Sequence, residues 1–186
     1  GNGVIAFNGA VYNFRELRDE LRKDGLSFHT DSDTEVVLAA LHHWGPQRAV
    51  PAFNGMFALA YHDARRDCLW LVRDRLGIKP LSLATLGERL LFASEDKALL
   101  AFRDMACRVD TREITLRLAF QTRDAVASLF DGLERLPPAA IWRIHDGKIE
   151  RGEYWNAIEA LDANRLTAGA RWKPLAVELC TRLGRS

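Results

Sequence analysis

The amino-acid sequence predicts an α+β fold in which the sheet is mostly antiparallel. Two observations carry this prediction. Short apolar segments occur in pairs joined by short polar loops, and segments with helical periodicity lie between the pairs. The length of 186 residues suits one domain with a short appendage, and 48% hydrophobic with 27% charged residues is the composition of a globular protein.

Hydrophobic spacing and turn residues predict the individual elements. Short apolar runs are typical of strands, apolar residues recurring every three or four positions are typical of helices, and a glycine after the last periodic residue marks a helix end. The predicted strands are residues 4–7, 56–61, 69–73, 81–83, 90–93, 141–144 and 148–151. The predicted helices are 13–25, 32–45, 96–102 and 113–120, and further candidates are a strand over 28–30, a loop over 129–135 and a closing helix over 174–183.

Charge and cysteine usage exclude several classes of protein. Lys and Arg number 26 against 25 Asp and Glu, so the net charge of +1 provides no strongly basic surface for nucleic acid. The apolar runs are far shorter than the roughly 18 residues of a membrane span, and the first residues do not resemble a secretory signal. Cys68, Cys107 and Cys180 form neither a zinc motif nor a disulfide framework, and the first two are expected to be small buried residues. We therefore expect a cytoplasmic protein with no metal site and no nucleic-acid or membrane partner.

Four segments share their order and spacing with a known family. They are residues 7–13, 31–36, 53–58 and 73–81, with the sequences FNGAVYN, DSDTEV, FNGMFA and RDRLGIKPL. Together they resemble the N-terminal glutaminase domain of glutamine-hydrolysing asparagine synthetases, a class II glutamine amidotransferase of the N-terminal-nucleophile family. The resemblance runs from about residue 5 to residue 155, because short matches near residues 93–99, 136–138 and 154–155 fit the same pattern.

The resemblance implies a fold and a division of the chain. The family fold is a four-layer sandwich, in which two mostly antiparallel sheets lie between helices. Residues 1–155 are expected to form the glutaminase-like domain, incomplete at its N terminus. Residues 156–186 are expected to be a linker and the start of a synthetase domain that this sequence does not contain.

The resemblance also implies a reaction. In the family, an N-terminal cysteine attacks the side-chain amide of glutamine with its own α-amino group as the base, and a thioester yields glutamate and ammonia. The ammonia passes to the synthetase domain, where ATP and magnesium are needed to amidate a carboxylate such as that of aspartate. The implied function is the glutaminase part of an ATP-dependent ligase of amino-acid biosynthesis. The implied partners are glutamine and the protein's own C-terminal synthetase domain; this chain needs no cofactor, and a homodimer is left open.

Three residues match positions of the family's glutaminase site. Asn8 and Gly9 match the oxyanion donors, an amide side chain and a backbone N–H, and are the catalytic candidates. Asp33 matches the carboxylate that binds the ammonium group of the substrate glutamine. From the residues alone, Asn8-Gly9 is also a plain β-turn and Asp33 a helix N-cap, so both alternatives stay open.

Two further motifs have structural interpretations. Arg73-Asp74 and Lys79 are expected to support the fold or to face another domain rather than to act in catalysis. Ser94-Glu95 is a candidate cap for the helix that follows.

The sequence departs from the family pattern in four respects, one of which is Pro138-Ala139-Ala140 where the family usually has Pro-Gly-His or similar. Residue 1 is glycine and no cysteine lies near it, so the expected nucleophile is absent from the sequence as given. Ala10 stands where the family has a glutamate that also binds the glutamine ammonium, a contact worth about 1.5–3 kcal/mol. No pyrophosphate-binding loop follows Trp155. These departures leave two hypotheses: an incomplete glutaminase of an active amidotransferase, which we favour, or a catalytically decayed glutaminase-like scaffold domain attached to a synthetase.

Overall fold

Antiparallel strands and short helices make up the residues that the computed structural model describes, which are 3–105, 107–121 and 126–157. The strands are β1 (Gly3–Val11), β2 (Gly55–Asp63), β3 (Cys68–Arg73), β4 (Ser82–Leu86), β5 (Arg89–Ala93), β6 (Leu133–Arg135), β7 (Ile141–His145) and β8 (Lys148–Glu150). The helices are α1 (Phe14–Lys23), α2 (Asp33–Trp44), α3 (Pro46–Ala52), α4 (Asp96–Leu100) and α5 (Thr111–Leu118).

The strands form two sheets. One sheet has the order β1-β2-β3-β7-β8 and the other the order β5-β4-β6, and every neighbouring pair is antiparallel. Within the described residues, β1 is an edge strand of the larger sheet. The predicted β7–β8 hairpin is confirmed, since Asp146 and Gly147 turn the chain with φ angles of 49° and 69°.

Three apolar clusters arrange these elements in four layers. Leu21 of α1 and Val37 of α2 share a cluster with Phe57 of β2, so the first helices cover the outer face of the larger sheet. The inner faces of the two sheets meet in a second cluster, which includes Leu71 and Leu83. A third cluster joins α4 to the outer face of the smaller sheet. The predicted α+β four-layer sandwich is confirmed.

The first strand is longer than the sequence predicted. The prediction ended it at residue 7 and treated Asn8-Gly9 as a turn, but β1 continues in register with β2 as far as the pair Val11↔Gly55. The turn was wrong because Asn-Gly is a local signal, whereas the distant strand β2 offers a pairing partner for the whole of β1.

The sequence predicts the ends of the helices better than the structure of the segments between them. Gly25 follows α1 with φ 89° and its N–H donates to the Arg22 carbonyl, as expected for a glycine that ends a helix. The candidate strand over 28–30 was wrong. The backbone N–H groups of His29 and Thr30 donate to the carboxylate of Glu35, both at 2.8 Å, so they are used in a helix-capping loop rather than a ladder.

The C-terminal half contains two differences from the prediction. The segment over 129–135 was expected to be a loop, but its last residues form β6, which pairs with β4. Cys107 is exposed, whereas Cys68 is buried as expected. The predicted closing helix, residues 174–183, lies outside the described residues. No helix within the described ranges is long and apolar enough to cross a membrane.

Candidate functional site

The backbone of Gly9 cannot be formed by another residue without strain. Gly9 has a φ of 146°, and a Cβ at this position would lie 2.7 Å from the Cα of Phe57 and would overlap the carbonyl oxygen of Met56. Gly55, on the facing strand, is equally close to the backbone of Ala10. The two glycines therefore allow β1 and β2 to approach closely at the point where the catalytic candidates lie.

The side chain of Asn8 lines a cavity of about 220 Å³ between the two sheets. Small residues on β1 and β2, including Ala6, Ala58 and Ala60, leave this space open on one side, and Phe92 closes it from the smaller sheet. Asn8 is itself an exposed residue, and its Nδ2 donates a hydrogen bond of 3.0 Å to Ser94 Oγ. The β-turn alternative for Asn8-Gly9 is wrong, because both residues lie within β1.

Asp33 reaches the same strand from helix α2. Its Oδ2 accepts a hydrogen bond of 2.9 Å from the backbone N–H of Val11, and its Oδ1 lies 3.4 Å from the Thr34 hydroxyl. The helix cap is Ser32, whose Oγ accepts from the Thr34 N–H at 3.1 Å. The N-cap alternative for Asp33 is therefore wrong, and its carboxylate is directed at the end of β1.

The structure brings the candidates to one strand but from different sides. Asp33 accepts a hydrogen bond from the backbone N–H of Val11. Val11 is three residues from Asn8, which is about 10 Å along a strand. Asn8 faces the second sheet, whereas α2 packs on the opposite face of the larger sheet. Asp33 does not line the cavity beside Asn8. That these residues bind one glutamine molecule stays a prediction.

The loop after β3 is held by charged side chains that are buried or half-buried. The carboxylate of Asp74, 1% exposed, accepts hydrogen bonds from the backbone N–H groups of Phe57 (3.2 Å), Leu76 (3.2 Å), Ile78 (2.9 Å) and Lys79 (2.9 Å). These contacts fix the loop to the start of β2, and they agree with the structural role expected for Asp74.

Arg73 holds the other side of the same loop. Its guanidinium donates to the carbonyl oxygens of Lys79 (2.7 Å), Gly77 (2.7 Å) and Leu136 (2.6 Å). Burial lowers the pKa of Arg73 from its usual value. The interpretation of Arg73 as a structural residue agrees with these contacts, because its guanidinium N–H groups donate to backbone carbonyl oxygens.

A network around Asp96 was missed by the sequence analysis. Its carboxylate accepts hydrogen bonds from the hydroxyls of Ser82 and Ser128 (2.9 Å) and from Arg135 Nη2 (2.9 Å). Burial raises the pKa of Asp96, but the bonds from Ser82, Arg135 and Ser128 together outweigh burial, so this pKa lies below its usual range. No local signal predicts this cluster, since its members come from four separate segments.

Two larger cavities lie away from the predicted site. They measure about 410 and 500 Å³, and Trp70 and Arg143 line both of them. Neither contains Asn8, Gly9 or Asp33. Within the described ranges, no group of three or more His, Cys, Asp or Glu side chains is arranged to hold a metal ion.

Comparison with known proteins supports one family. The profile of the glutamine amidotransferase domain matches residues 1–155. Asparagine synthetase [glutamine-hydrolyzing] 3 of Bacillus subtilis is 37% identical over 154 residues, which are 82% of this chain and 25% of that protein. Asparagine synthetase [glutamine-hydrolyzing] 1 of the same organism is 35% identical over 154 residues, 82% of this chain and 24% of that protein. The chain thus spans about a quarter of the length of these relatives.

A solved structure supports the fold. The glutamine phosphoribosylpyrophosphate amidotransferase of Bacillus subtilis superposes with a TM-score of 0.57 and 17% sequence identity, over 82% of this chain and 29% of that chain. At this level of identity the similarity shows a shared fold.

Proposed function

Because this chain belongs to the glutamine amidotransferase domain family, we propose that it is the glutaminase part of an asparagine synthetase-like amidotransferase. In this proposal, glutamine is hydrolysed to glutamate and the released ammonia amidates a carboxylate, such as that of aspartate, on a synthetase domain of the same protein. ATP and magnesium belong to that second domain. Unpaired cysteines favour the reducing cytoplasm as its compartment.

The observation that carries the proposal is the glycine-specific backbone of Gly9 beside an amide that lines a cavity. Backbone groups of a strand point to alternate edges, so the N–H of Gly9 is expected on the same edge of β1 as the Val11 N–H, which faces away from β2 and donates to Asp33. An N–H at an edge and a neighbouring side-chain amide are the donors that stabilise the oxyanion of an attacked amide.

Asp33 would supply the charge that recognises the α-ammonium of glutamine. One oxygen of its carboxylate accepts a hydrogen bond from the Val11 N–H, and the other oxygen, 3.4 Å from the Thr34 hydroxyl, can accept a further hydrogen bond. Replacing Asp33 by Asn keeps an acceptor for Val11 and removes the charge, so this variant separates substrate binding from support of the strand.

The test is glutamate release from glutamine by the gene-encoded protein that contains this chain. We expect Asn8→Ala to lower kcat about 10²–10³-fold, the usual effect of losing one oxyanion donor. We expect Asp33→Asn to raise KM with a smaller effect on kcat, since the ammonium contact is similar in the ground and transition states. Asp104→Asn is the matched control, because Asp104 is an exposed aspartate outside the candidate site.

The alternative hypothesis predicts a different result. A decayed scaffold domain would release no glutamate above a buffer blank, while the parent protein would still form its amide product from free ammonia. That combination would overturn the glutaminase proposal.

A further inference from the structure

We propose that Ser94 is a positioning residue for glutamine hydrolysis, because its hydroxyl holds the amide of Asn8 in the orientation that an oxyanion donor needs. The hydrogen bond from Asn8 Nδ2 to Ser94 Oγ, 3.0 Å long, joins residues 86 positions apart and crosses from the larger sheet to the smaller one. The inference rests on the proposed function, since it assigns Asn8 to the oxyanion.

The chemistry of the amide explains why the contact matters. Nδ2 of Asn8 carries two hydrogens, and the bond to Ser94 uses one of them, which leaves the other as a donor in the cavity. The terminal torsion of an asparagine is broad and roughly two-fold, so an exposed amide without a partner turns readily toward water. Fixing one N–H therefore also fixes the direction of the second, and preorganised donors are the ones that stabilise a transition state.

The segment that carries Ser94 is itself held firmly. Ala93, the last residue of β5, pairs with Ser82 of β4. Asp96, two residues after Ser94, has a largely buried carboxylate that accepts bonds from Ser82, Ser128 and Arg135. Ser94 thus lies between a strand pair and a buried ionic network, which gives its hydroxyl a defined position.

The capping role expected for Ser94-Glu95 does not account for this hydroxyl. The N-cap of α4 is Glu95, and no side-chain hydrogen bond caps that helix. The described contact of the Ser94 side chain is the bond from Asn8. Ser94 also lines both the cavity beside Asn8 and a second cavity of about 430 Å³, so its hydroxyl lies on the wall of an open space rather than in a packed core.

The experiment is a double-mutant cycle in the gene-encoded protein that contains this chain, with glutamate release as the readout. We expect Ser94→Ala to lower kcat on the order of tenfold with KM changed less than twofold, the size of one net hydrogen bond. Ser94→Thr keeps the hydroxyl and should retain kcat within about twofold of wild type. In the Asn8→Ala background, Ser94→Ala should have no further effect, because its partner is gone. Ser27→Ala, at an exposed serine elsewhere, is the control.

Each other outcome is decisive. If the wild type hydrolyses no glutamine, the proposed function falls and this inference falls with it. If the wild type is active and Ser94→Ala has unchanged kcat, or lowers kcat equally in the Asn8→Ala background, the inference is overturned while the proposed function stands. Should Ser94→Ala lower the thermal midpoint, Ser94→Cys, close in size but a weak hydrogen-bonding group, must show the same loss of kcat in a folded protein.

Discussion

At the scale of single residues, the candidate site depends on a backbone conformation at position 9 that only glycine adopts without strain. Gly9 has a φ of 146° and lies against the backbone of Met56 and Phe57. Local sequence statistics associate Asn-Gly with turns, yet here the glycine serves the close approach of two strands. The same motif is compatible with both uses, and the facing strand decides between them.

Replacing Gly9 by alanine should destabilise the fold far more than a glycine replacement in open space. We expect Gly9→Ala to cost about 3 kcal/mol or more, because an unfavourable φ and a backbone overlap add together. Gly87→Ala, with φ 58° and nothing within 4 Å of the added Cβ, should cost about 1–2 kcal/mol. Urea unfolding of both variants measures the difference, and equal losses would contradict the steric explanation.

Ala10 is the residue at which a gain of function is expected. It lies on the same face of β1 as Asn8, two residues along the strand, and next to Val11, whose N–H binds Asp33. Ala10→Glu in the parent protein should lower the KM for glutamine about tenfold with little change in kcat, since a second carboxylate would contact the ammonium in both ground and transition states. Ala10→Gln is the uncharged control; an equal KM for the two variants would place Ala10 outside the glutamine pocket.

At the scale of elements, the loop after β3 is held in place by a carboxylate whose hydrogen-bond partners are backbone N–H groups and not a cationic side chain. Asp74 accepts four backbone N–H groups, and Arg73 donates to three carbonyls of the same region. Leu76 and Ile78 are exposed on this loop, so burial of their side chains does not hold it in place. Polar contacts to the main chain therefore take the place of an apolar core here.

Asp74→Asn should destabilise the domain, because the new amide presents N–H groups to N–H donors. We expect a loss of about 2–4 kcal/mol, the cost of leaving buried donors without an acceptor. Asp19→Asn on the exposed side of α1, where the side chain is 67% exposed, should change the stability by less than about 0.5 kcal/mol. Chemical denaturation at neutral pH compares the two, and similar losses would contradict the proposed role of the Asp74 bonds.

At the scale of the whole molecule, hydrogen-bonded carboxylates with lowered pKa values occur in several parts of the fold. Bonds from Trp44 lower the pKa of Asp24, and bonds from Thr30 and His29 lower the pKa of Glu35 to about 2. Asp63 and Asp96 also have lowered pKa values, because their hydrogen bonds outweigh the effect of burial. All four shifts have the same sign, so their effects on stability add in one direction.

Acid should therefore destabilise the fold. A carboxyl whose pKa is lower in the folded than in the unfolded protein stabilises the fold fully above the unfolded value, about 4, and this contribution is lost as the pH falls through the folded pKa. We expect the urea midpoint to fall between pH 5 and pH 2, by a smaller amount in Glu35→Gln than in wild type. A midpoint that stayed constant or rose over this range would contradict the assigned shifts.

Local signals in the sequence were sufficient for several elements. Gly25 and Gly45 mark the ends of α1 and α2, and Asp146-Gly147 marks the last hairpin, because each acts through the backbone of its own few residues. The ordered motifs also identified the family and its four-layer fold. Asn8, Gly9 and Asp33 were singled out in the same way, by resemblance rather than by geometry.

The tertiary structure decided what those residues contact. Asn13 occupies the N-cap position of α1, but its side chain makes no capping hydrogen bond and instead bridges Ala52 and Asn54, about 40 positions away. Ser94-Glu95 was a candidate cap for α4, but the Ser94 hydroxyl accepts a hydrogen bond from Asn8 across the two sheets. A polar side chain can form hydrogen bonds of similar energy with several partners, and the sequence indicates only the partners that are close along the chain. The distant partner is used when packing of the sheets has already brought it within reach, because the entropy of bringing the two segments together is then shared by the whole core.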